Sequence, residues 1–322
     1  MTGQTVTIED IIESSTKDLE KKISDIITDK DIASILEGGK RLRPLLAHLA
    51  FKACTQGKET SIQYQRALEG GVVIELAHAA SLVHDDIIDN DKVRRGQSSF
   101  HIKKGVAGAI LTGHKMLVTG FNIALRHGKD IAKLYVDSWN EVINGEIDEV
   151  NFNKNEMKNF DISSKSQIFE IYNKIIDLKT AVLFSSACKA GALEANMSGD
   201  ILKVFSEYGR EIGFAYQLAD DLVDLANGEM LDSVIIPILN RLESKTTKIN
   251  IGLLKKRQFK KKFERNKSKI EKMYVDEITR HIKKAEELGE SDLIPTSHYK
   301  NLLRDAPTYV INRMLKEINV TV

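Results

Sequence analysis

Two short acidic runs, Asp85-Asp86-Ile87-Ile88-Asp89 and Asp220-Asp221-Leu222-Val223-Asp224, lie inside otherwise apolar stretches, LVHDDIID and YQLADDLVD. Residues four apart on an α-helix share a face, so each run sets a pair of carboxylates side by side: Asp85 with Asp89, and Asp220 with Asp224. A single run of this kind is ordinarily a solvated helix surface. Two runs, each flanked by core-type residues, are costly unless their charges are paired or bind a metal. The pattern therefore asks for apolar helices wrapped around a polar, cation-holding cavity. Hard carboxylate donors favour Mg²⁺, which completes its octahedron with water and phosphate oxygens.

The rest of the chain supports that architecture. Apolar residues recur at three- and four-residue spacing, as in Ile8, Ile11, Ile12, Leu19, Ile23 and Ile26, whereas alternating β-branched runs are scarce. Further helices are predicted over 131–147, 167–193, 199–226 and 273–288, with Pro44, Pro237, Pro295 and Pro307 marking helix starts, where a missing N–H costs nothing. No repeat or composition shift divides the 322 residues, so the expectation is one all-α domain, residues 1–322, of about ten or more helices. With 42% hydrophobic and 29% charged residues the chain is not of the disordered class. Its 47 Lys and Arg balance 46 Asp and Glu, which argues against a general nucleic-acid binder. Two cysteines, Cys54 and Cys188, cannot form a disulfide framework and are expected as buried apolar residues in a reducing compartment. The first twenty residues hold Glu9, Asp10, Glu13, Asp18 and Glu20, unlike a secretory signal, and the expected location is the cytoplasm.

One segment is strongly basic: ten of the eighteen residues from Lys255 to Lys272 are Lys or Arg. Phe259, Phe263, Ile270 and Met273 fall on one helical face, so an amphipathic helix with a solvated basic side is expected. A peripheral contact with an anionic membrane is the alternative.

Other cations sit near the acidic runs. GGKRLRP supplies Lys40, Arg41 and Arg43, Arg94-Arg95 follow the first run, and DLKTA supplies Lys179 and Thr180. Arginine presents a planar fork suited to phosphate oxygens. Two carboxylate pairs and three basic clusters together describe a site for two polyphosphate groups with Mg²⁺ between carboxylates and one of them.

That ensemble resembles the trans-isoprenyl diphosphate synthases, the polyprenyl synthetase family that makes farnesyl, geranylgeranyl and longer diphosphates. GGKRLRP, ELAHAASLVHDDIIDNDKVRRGQSSFH, KTAVLF and GFAYQLADDLVD occur in family order, and the resemblance runs from about Gly38 to Arg313. It implies an all-α bundle around a central cavity, two or three Mg²⁺ per site, and condensation of isopentenyl diphosphate with an allylic diphosphate. By the same resemblance Asp85, Asp86 and Asp89, with Asp220, Asp221 and Asp224 facing them, bind Mg²⁺. Arg94, Lys179, Thr180 and Gln217 contact the allylic substrate, and Lys40, Arg43, His78 and Arg95 hold isopentenyl diphosphate. The small residues Ala77, Ala80 and Ser81 before the first motif imply an open tunnel and a product of C20 or longer, with Phe121 as a candidate floor. A homodimer is implied, with a heteromer as the alternative.

The chain departs from the family pattern after Asp224. LANGEMLDSVIIP is shorter than the usual lysine-bearing loop, and Ser233 falls where a lysine is expected, which shifts attention to Lys245 or Lys248. His114 also replaces an aspartate. A weakly active partner subunit and a Mg²⁺-dependent terpene cyclase remain alternative readings. The complete set Lys40, Arg43, His78 and Arg95 argues against a cyclase, which needs no second diphosphate.

Overall fold

The computed structural model describes residues 7–159, 172–227 and 256–322. Helix α1 (Ile8–Ile26) opens on a capping box in which Thr7 and Asp10 bond each other's backbone N–H groups. Asp29 caps α2 (Lys30–Leu36), accepting from the N–H groups of Asp31 and Ile32. Helix α3 (Leu42–Thr55) carries Pro44 in its first turn, as expected. Helix α4 (Ser61–Ile88), opened by a Thr60–Gln63 capping box, ends at Asp89 and so delivers the whole first acidic run at its C-terminus. A two-stranded antiparallel hairpin follows, β1 (Val93–Arg94) with β2 (Gln97–Ser98). It turns through Arg95 and Gly96, both at positive φ. Helix α5 (Phe100–Arg126) kinks at Gly105 and is followed by α6 (Lys129–Asn159). After a π-helical turn (Asp177–Ala181) come α7 (Val182–Glu194), α8 (Asp200–Ala226), α9 (Lys256–Gly289) and α10 (His298–Leu315).

Among the described residues, three large apolar clusters join these helices. Phe51, Phe184, Phe205 and Tyr208 join α3, α7 and α8, and Cys54 and Cys188 lie among them as free, buried thiols. Leu222, Ile270, Ile278 and Ile311 join α8 to α9 and α10. Leu19, Ile32, Leu76 and Met116 join α1, α2, α4 and α5. Ile270 of the basic segment is buried while Lys269 and Lys272 are exposed, the amphipathic arrangement expected there. Lys255 and the side chains of Phe259 and Phe263 lie outside the described residues. Among the described residues no helix is long and apolar enough to cross a membrane.

Pro307 corrects the sequence reading: it lies inside α10 and not at a helix start. A proline there leaves the carbonyl four residues earlier without its helical donor. The buried Tyr208 hydroxyl supplies that donor, bonding the Leu303 carbonyl at 2.7 Å, so a residue of α8 repairs the break in α10.

The predicted helix through 193 is likewise not uniform, because the π turn interrupts it. Single π turns widen a helix by one residue and re-aim side chains, often at functional sites. Two glycines make room for this one. A Cβ on Gly213 of α8 would sit 2.5 Å from Ala181 Cα, and one on Gly145 of α6 would sit 2.7 Å from Leu178 Cβ. The π turn is thus pinched between α6 and the helix that carries the second acidic run.

His127, at the end of α5, puts both ring nitrogens against carboxylates, Nε2 at 3.2 Å from Glu69 and Nδ1 on Glu194. Burial opposes its charge, but the bonds to Glu194 and Glu69 outweigh burial and raise its pKa above the ordinary histidine value. A raised folded-state pKa gives stability that is complete below the unfolded pKa and lost as pH rises through the folded one. The melting temperature should therefore fall as pH climbs past neutrality, and His127→Gln should flatten that part of the curve. An equally steep fall in the variant would contradict the assignment.

Candidate active site

A cavity of about 390 Å³ opens between the start of α3, α4, the hairpin, α6, the π turn and α8. Its wall takes in most of the residues singled out from the sequence: Lys40, Arg43, His78, Ser81, Asp85, Arg94, Arg95, Lys179, Thr180, Gln217 and Asp220. Local structure explains the convergence. The C-terminal turns of α4 bring His78, Ser81 and Asp85 along one face, the hairpin folds Arg94 and Arg95 back over them, and the π turn points Lys179 and Thr180 inward.

One end of the cavity is acidic. Lys179 Nζ bridges two carboxylates of α6, Glu146 at 2.9 Å and Glu149. Asp85 is pushed up to about 8, chiefly by burial and then by the charge of Glu146, while Lys179 opposes the shift. Burial and Glu149 raise Asp89 in the same sense. Four carboxylates thus surround one lysine, and Lys179 is itself held above its ordinary value because the neighbouring carboxylates outweigh burial. Glu146 and Glu149 were missed in the sequence. Their i, i+3 spacing was the available signal, but on one helix it reads as ordinary surface.

The middle aspartates of the two runs turn away from this cavity. Asp86 is 2% exposed and accepts from Arg94 Nε at 2.8 Å, so it holds that arginine in place. Asp221, also 2% exposed, accepts from the Tyr172 hydroxyl and from Gln217 Nε2 at 3.0 Å. Burial pushes Asp221 up to about 7 against those two bonds. Gln217 in turn accepts through Oε1 from Thr180 Oγ1 at 2.7 Å. Asp220 faces the cavity, raised by burial and offset by Lys40 and Arg43; Asp224 is half-buried one turn on.

The other end is cationic. Arg43 is buried, with its guanidinium 4.3 Å above the Phe184 ring and Nη1 at 3.1 Å from His78 Nε2. Its Nε has no hydrogen-bond partner. His78 is driven well below the ordinary histidine pKa, first by burial and then by Arg43, Arg95, Arg94 and Arg41, and is therefore neutral at pH 7. Arg95 bonds the Glu37 carbonyl at 3.0 Å. Arg41 differs from its neighbours: it is locked to Glu75 and Glu20, each at 2.7 Å, and anchors the junction between the segment with Lys40 and the first turn of α3 with Arg43.

Ser81 lines the large cavity, whereas Ala77 lines a second, mostly apolar pocket of about 50 Å³ with Val73, Tyr135, Trp139 and Leu183. Leu183 borders both. Ala80 is fully buried in the apolar core and borders neither, and Phe121 stands behind Tyr135, ring centroids 6.1 Å apart. His114 pairs with the His84 ring at 5.4 Å. Ser233, Lys245, Lys248 and the loop after the second run lie outside the described residues.

The donors suit a hard divalent cation. Among the described residues no three carboxylates or imidazoles converge on one ion position. Mg²⁺ does not require that, since it keeps waters and phosphate oxygens and takes one or two carboxylates. The excess of carboxylate over Lys179 at the acidic end supplies the charge such an ion needs.

Residues 26–233 match the polyprenyl synthetase family. A geranylgeranyl diphosphate synthase of Methanosarcina mazei is 33% identical over 193 residues, 60% of this chain and 56% of that protein. A short chain isoprenyl diphosphate synthase of Methanothermobacter thermautotrophicus is 32% identical over 220 residues, 66% of this chain and 63% of its own length. The matched stretch thus spans less than two thirds of either relative. The crystal structure of a geranylgeranyl pyrophosphate synthetase from Pyrococcus horikoshii shares the fold, with a TM-score of 0.75 over 95% of this chain and 98% of that one at 24% identity. With its paired acidic runs on helices facing one cavity, the chain belongs to the polyprenyl synthetase family.

Proposed function

We propose that this chain, acting as one domain, is a trans-prenyltransferase that joins isopentenyl diphosphate to an allylic diphosphate and makes an all-trans product of C20 or longer. One observation supports the reading: a single cavity has a carboxylate end, Asp85 with Glu146 around Lys179, and a cationic end, Lys40, Arg43 and Arg95 around neutral His78, with Asp220 in the wall close to Lys40 and Arg43. A chain that handled one diphosphate would need only the first.

Asp85, Asp89 and Asp220, supported by Asp224, would hold Mg²⁺, which when bound neutralises the departing allylic diphosphate. Lys179 and Arg94 add donors to that leaving group. Arg43 brings an unpaired Nε and Arg95 and Lys40 bring further charge to isopentenyl diphosphate, while His78, being neutral, can accept from Arg43 without adding repulsion. Thr180 and Gln217 stand between the two ends, where the allylic carbocation forms and the isopentenyl double bond attacks it. The proton released on condensation passes to the departing diphosphate. Leu82, Val142 and Leu183 give the otherwise polar wall an apolar side that would keep water, which quenches the cation, from the reacting carbons.

The growing tail would enter the pocket beside Ala77. Ala77→Phe should shorten the longest product, and Ala80→Phe should instead cost stability by overpacking the core. Unchanged product length in Ala77→Phe would remove this pocket from the tunnel.

Leu111, Val118 and Leu125 of α5, seven residues apart, and Val136 and Ile143 of α6, also seven apart, are exposed large apolar side chains, the kind of surface that marks interaction sites when contiguous. A second copy of the chain covers it in this reading, so Leu111→Asp should yield monomers by sedimentation. The same reading puts the protein in a reducing compartment, the cytoplasm, and its two buried, unpaired cysteines agree with that.

Calorimetry with two unreactive partners tests the function. Isopentenyl diphosphate should bind without Mg²⁺, an allylic thiolodiphosphate only with it, and Arg43→Ala should lose the first alone. A single diphosphate site would favour a cyclase instead.

A further inference from the structure

We propose that a second pocket, beside the hairpin, binds a small tetrahedral oxyanion of the phosphate class. The pocket measures about 80 Å³ and lies between α2, the end of α4, the hairpin and the start of α5. Among the described residues its wall shares Leu82, Arg94 and Arg95 with the large cavity and is otherwise separate from it. The inference stands without the prenyltransferase reading, which gives this pocket no substrate.

Ser99 is the residue that asks for a ligand. It is 1% exposed and stands in the pocket wall, and its hydroxyl has no hydrogen-bond partner. It also occupies the N-cap of α5, where a serine oxygen ordinarily accepts from an N–H of the first turn, yet it makes no such bond. A buried hydroxyl that bonds neither its helix nor another side chain is costly unless something in the pocket completes it. Charge decides the kind of ligand. Arg94 and Asp86 pair within the wall at 2.8 Å and cancel. Among the described residues Arg95 and Lys103 remain, against the single carboxylate of Glu37. Arg95 gives one N–H to the Glu37 backbone carbonyl and Lys103 gives one to Gln97 Oε1, each at 3.0 Å. Both keep hydrogens to spare, so the wall is net positive and rich in donors. A tetrahedral oxyanion has oxygens enough for Ser99, Arg95 and Lys103 together. A single water needs about 10–15 Å³ of such space, so one oxyanion fits. Val83 and Phe100 add an apolar side, on which the short chain of an alkyl phosphate can lie.

Calorimetric titration of the full-length chain, free of Mg²⁺, with inorganic phosphate and with butyl phosphate tests the proposal. The wild type should bind, and Ser99→Ala and Lys103→Gln should each weaken binding by about tenfold or more, the loss of one charge-assisted bond. Lys103 is exposed, so its substitution leaves the fold intact and the test stands even if Ser99→Ala unfolds. Arg43→Ala changes only the large cavity and should leave the affinity of this pocket as it was. Tighter binding of butyl phosphate would identify an alkyl phosphate as the ligand, and equal or weaker binding the free ion. Affinity unchanged in both Ser99→Ala and Lys103→Gln, or binding abolished by Arg43→Ala alone, would put the anion in the large cavity and overturn the proposal. So would a wild type that binds neither probe, since a water would then satisfy Ser99. Prenyl elongation has no part in this readout, so failure of the function reading would leave it standing.

Discussion

Asp85→Ala and Asp220→Ala should each lower kcat by about three orders of magnitude, because in the proposed reaction each carboxylate would hold the Mg²⁺ that neutralises the leaving diphosphate. The two variants should remain folded. Asp85 is buried beside Glu146 and pushed up to about 8, so it is carried at an energetic cost. Deleting it relieves that repulsion, and Lys179 still keeps Glu146 and Glu149. Thermal unfolding of Asp85→Ala should therefore match or exceed the wild type while turnover is lost, the usual sign of a residue kept for function at the expense of stability. Asp86→Ala should behave differently. Asp86 holds Arg94, so its loss should appear first as a raised KM for the allylic substrate and only then in kcat. Full activity in either Asp85→Ala or Asp220→Ala would end the two-motif account.

Gly213→Ala should cost about a hundredfold in kcat although the residue touches no substrate. On helix propensity alone the change would stabilise α8 by about 1 kcal/mol. The new Cβ would, however, lie 2.5 Å from Ala181 Cα and 3.1 Å from its Cβ, and a backbone carbon cannot swing aside. Relieving the overlap moves α8 from the π turn, at a cost of about 1–3 kcal/mol that outweighs the propensity gain. The same movement stretches the Thr180–Gln217 bond and shifts Asp220 within the cavity wall. A displacement of about 1 Å is enough for a hundredfold loss in a site that works by alignment. Denaturant unfolding and steady-state rates check both halves. Wild-type turnover in Gly213→Ala would show that the close approach does not position the site.

Much of this arrangement was legible in the chain because helical periodicity is a strong signal. The stripe of α1 and the i, i+4 faces of Asp85 with Asp89 and Asp220 with Asp224 follow from 3.6 residues per turn. The same geometry sets Asp86 and Asp221 about 100° around their helices from Asp85 and Asp220, and they do not line the cavity that Asp85 and Asp220 do. Arg41 looked like another phosphate cation, and only tertiary structure brings Glu20 and Glu75 to it. Glu146 and Glu149 carried no motif, and their meaning comes from Lys179 on a different segment. The π turn left no local trace, since its room is made by Gly145 and Gly213 far away in sequence. Pro307 was misread for a related reason: the donor that lets it stay inside α10 belongs to Tyr208.

The most direct test of the central claim is a sizing experiment on the purified chain with labelled isopentenyl diphosphate, Mg²⁺ and C5, C10 or C15 allylic diphosphate. The account predicts Mg²⁺-dependent incorporation that needs the allylic primer, with products of C20 or longer after dephosphorylation. Folded protein that binds both diphosphates yet incorporates no label, with any of the three primers, would contradict it.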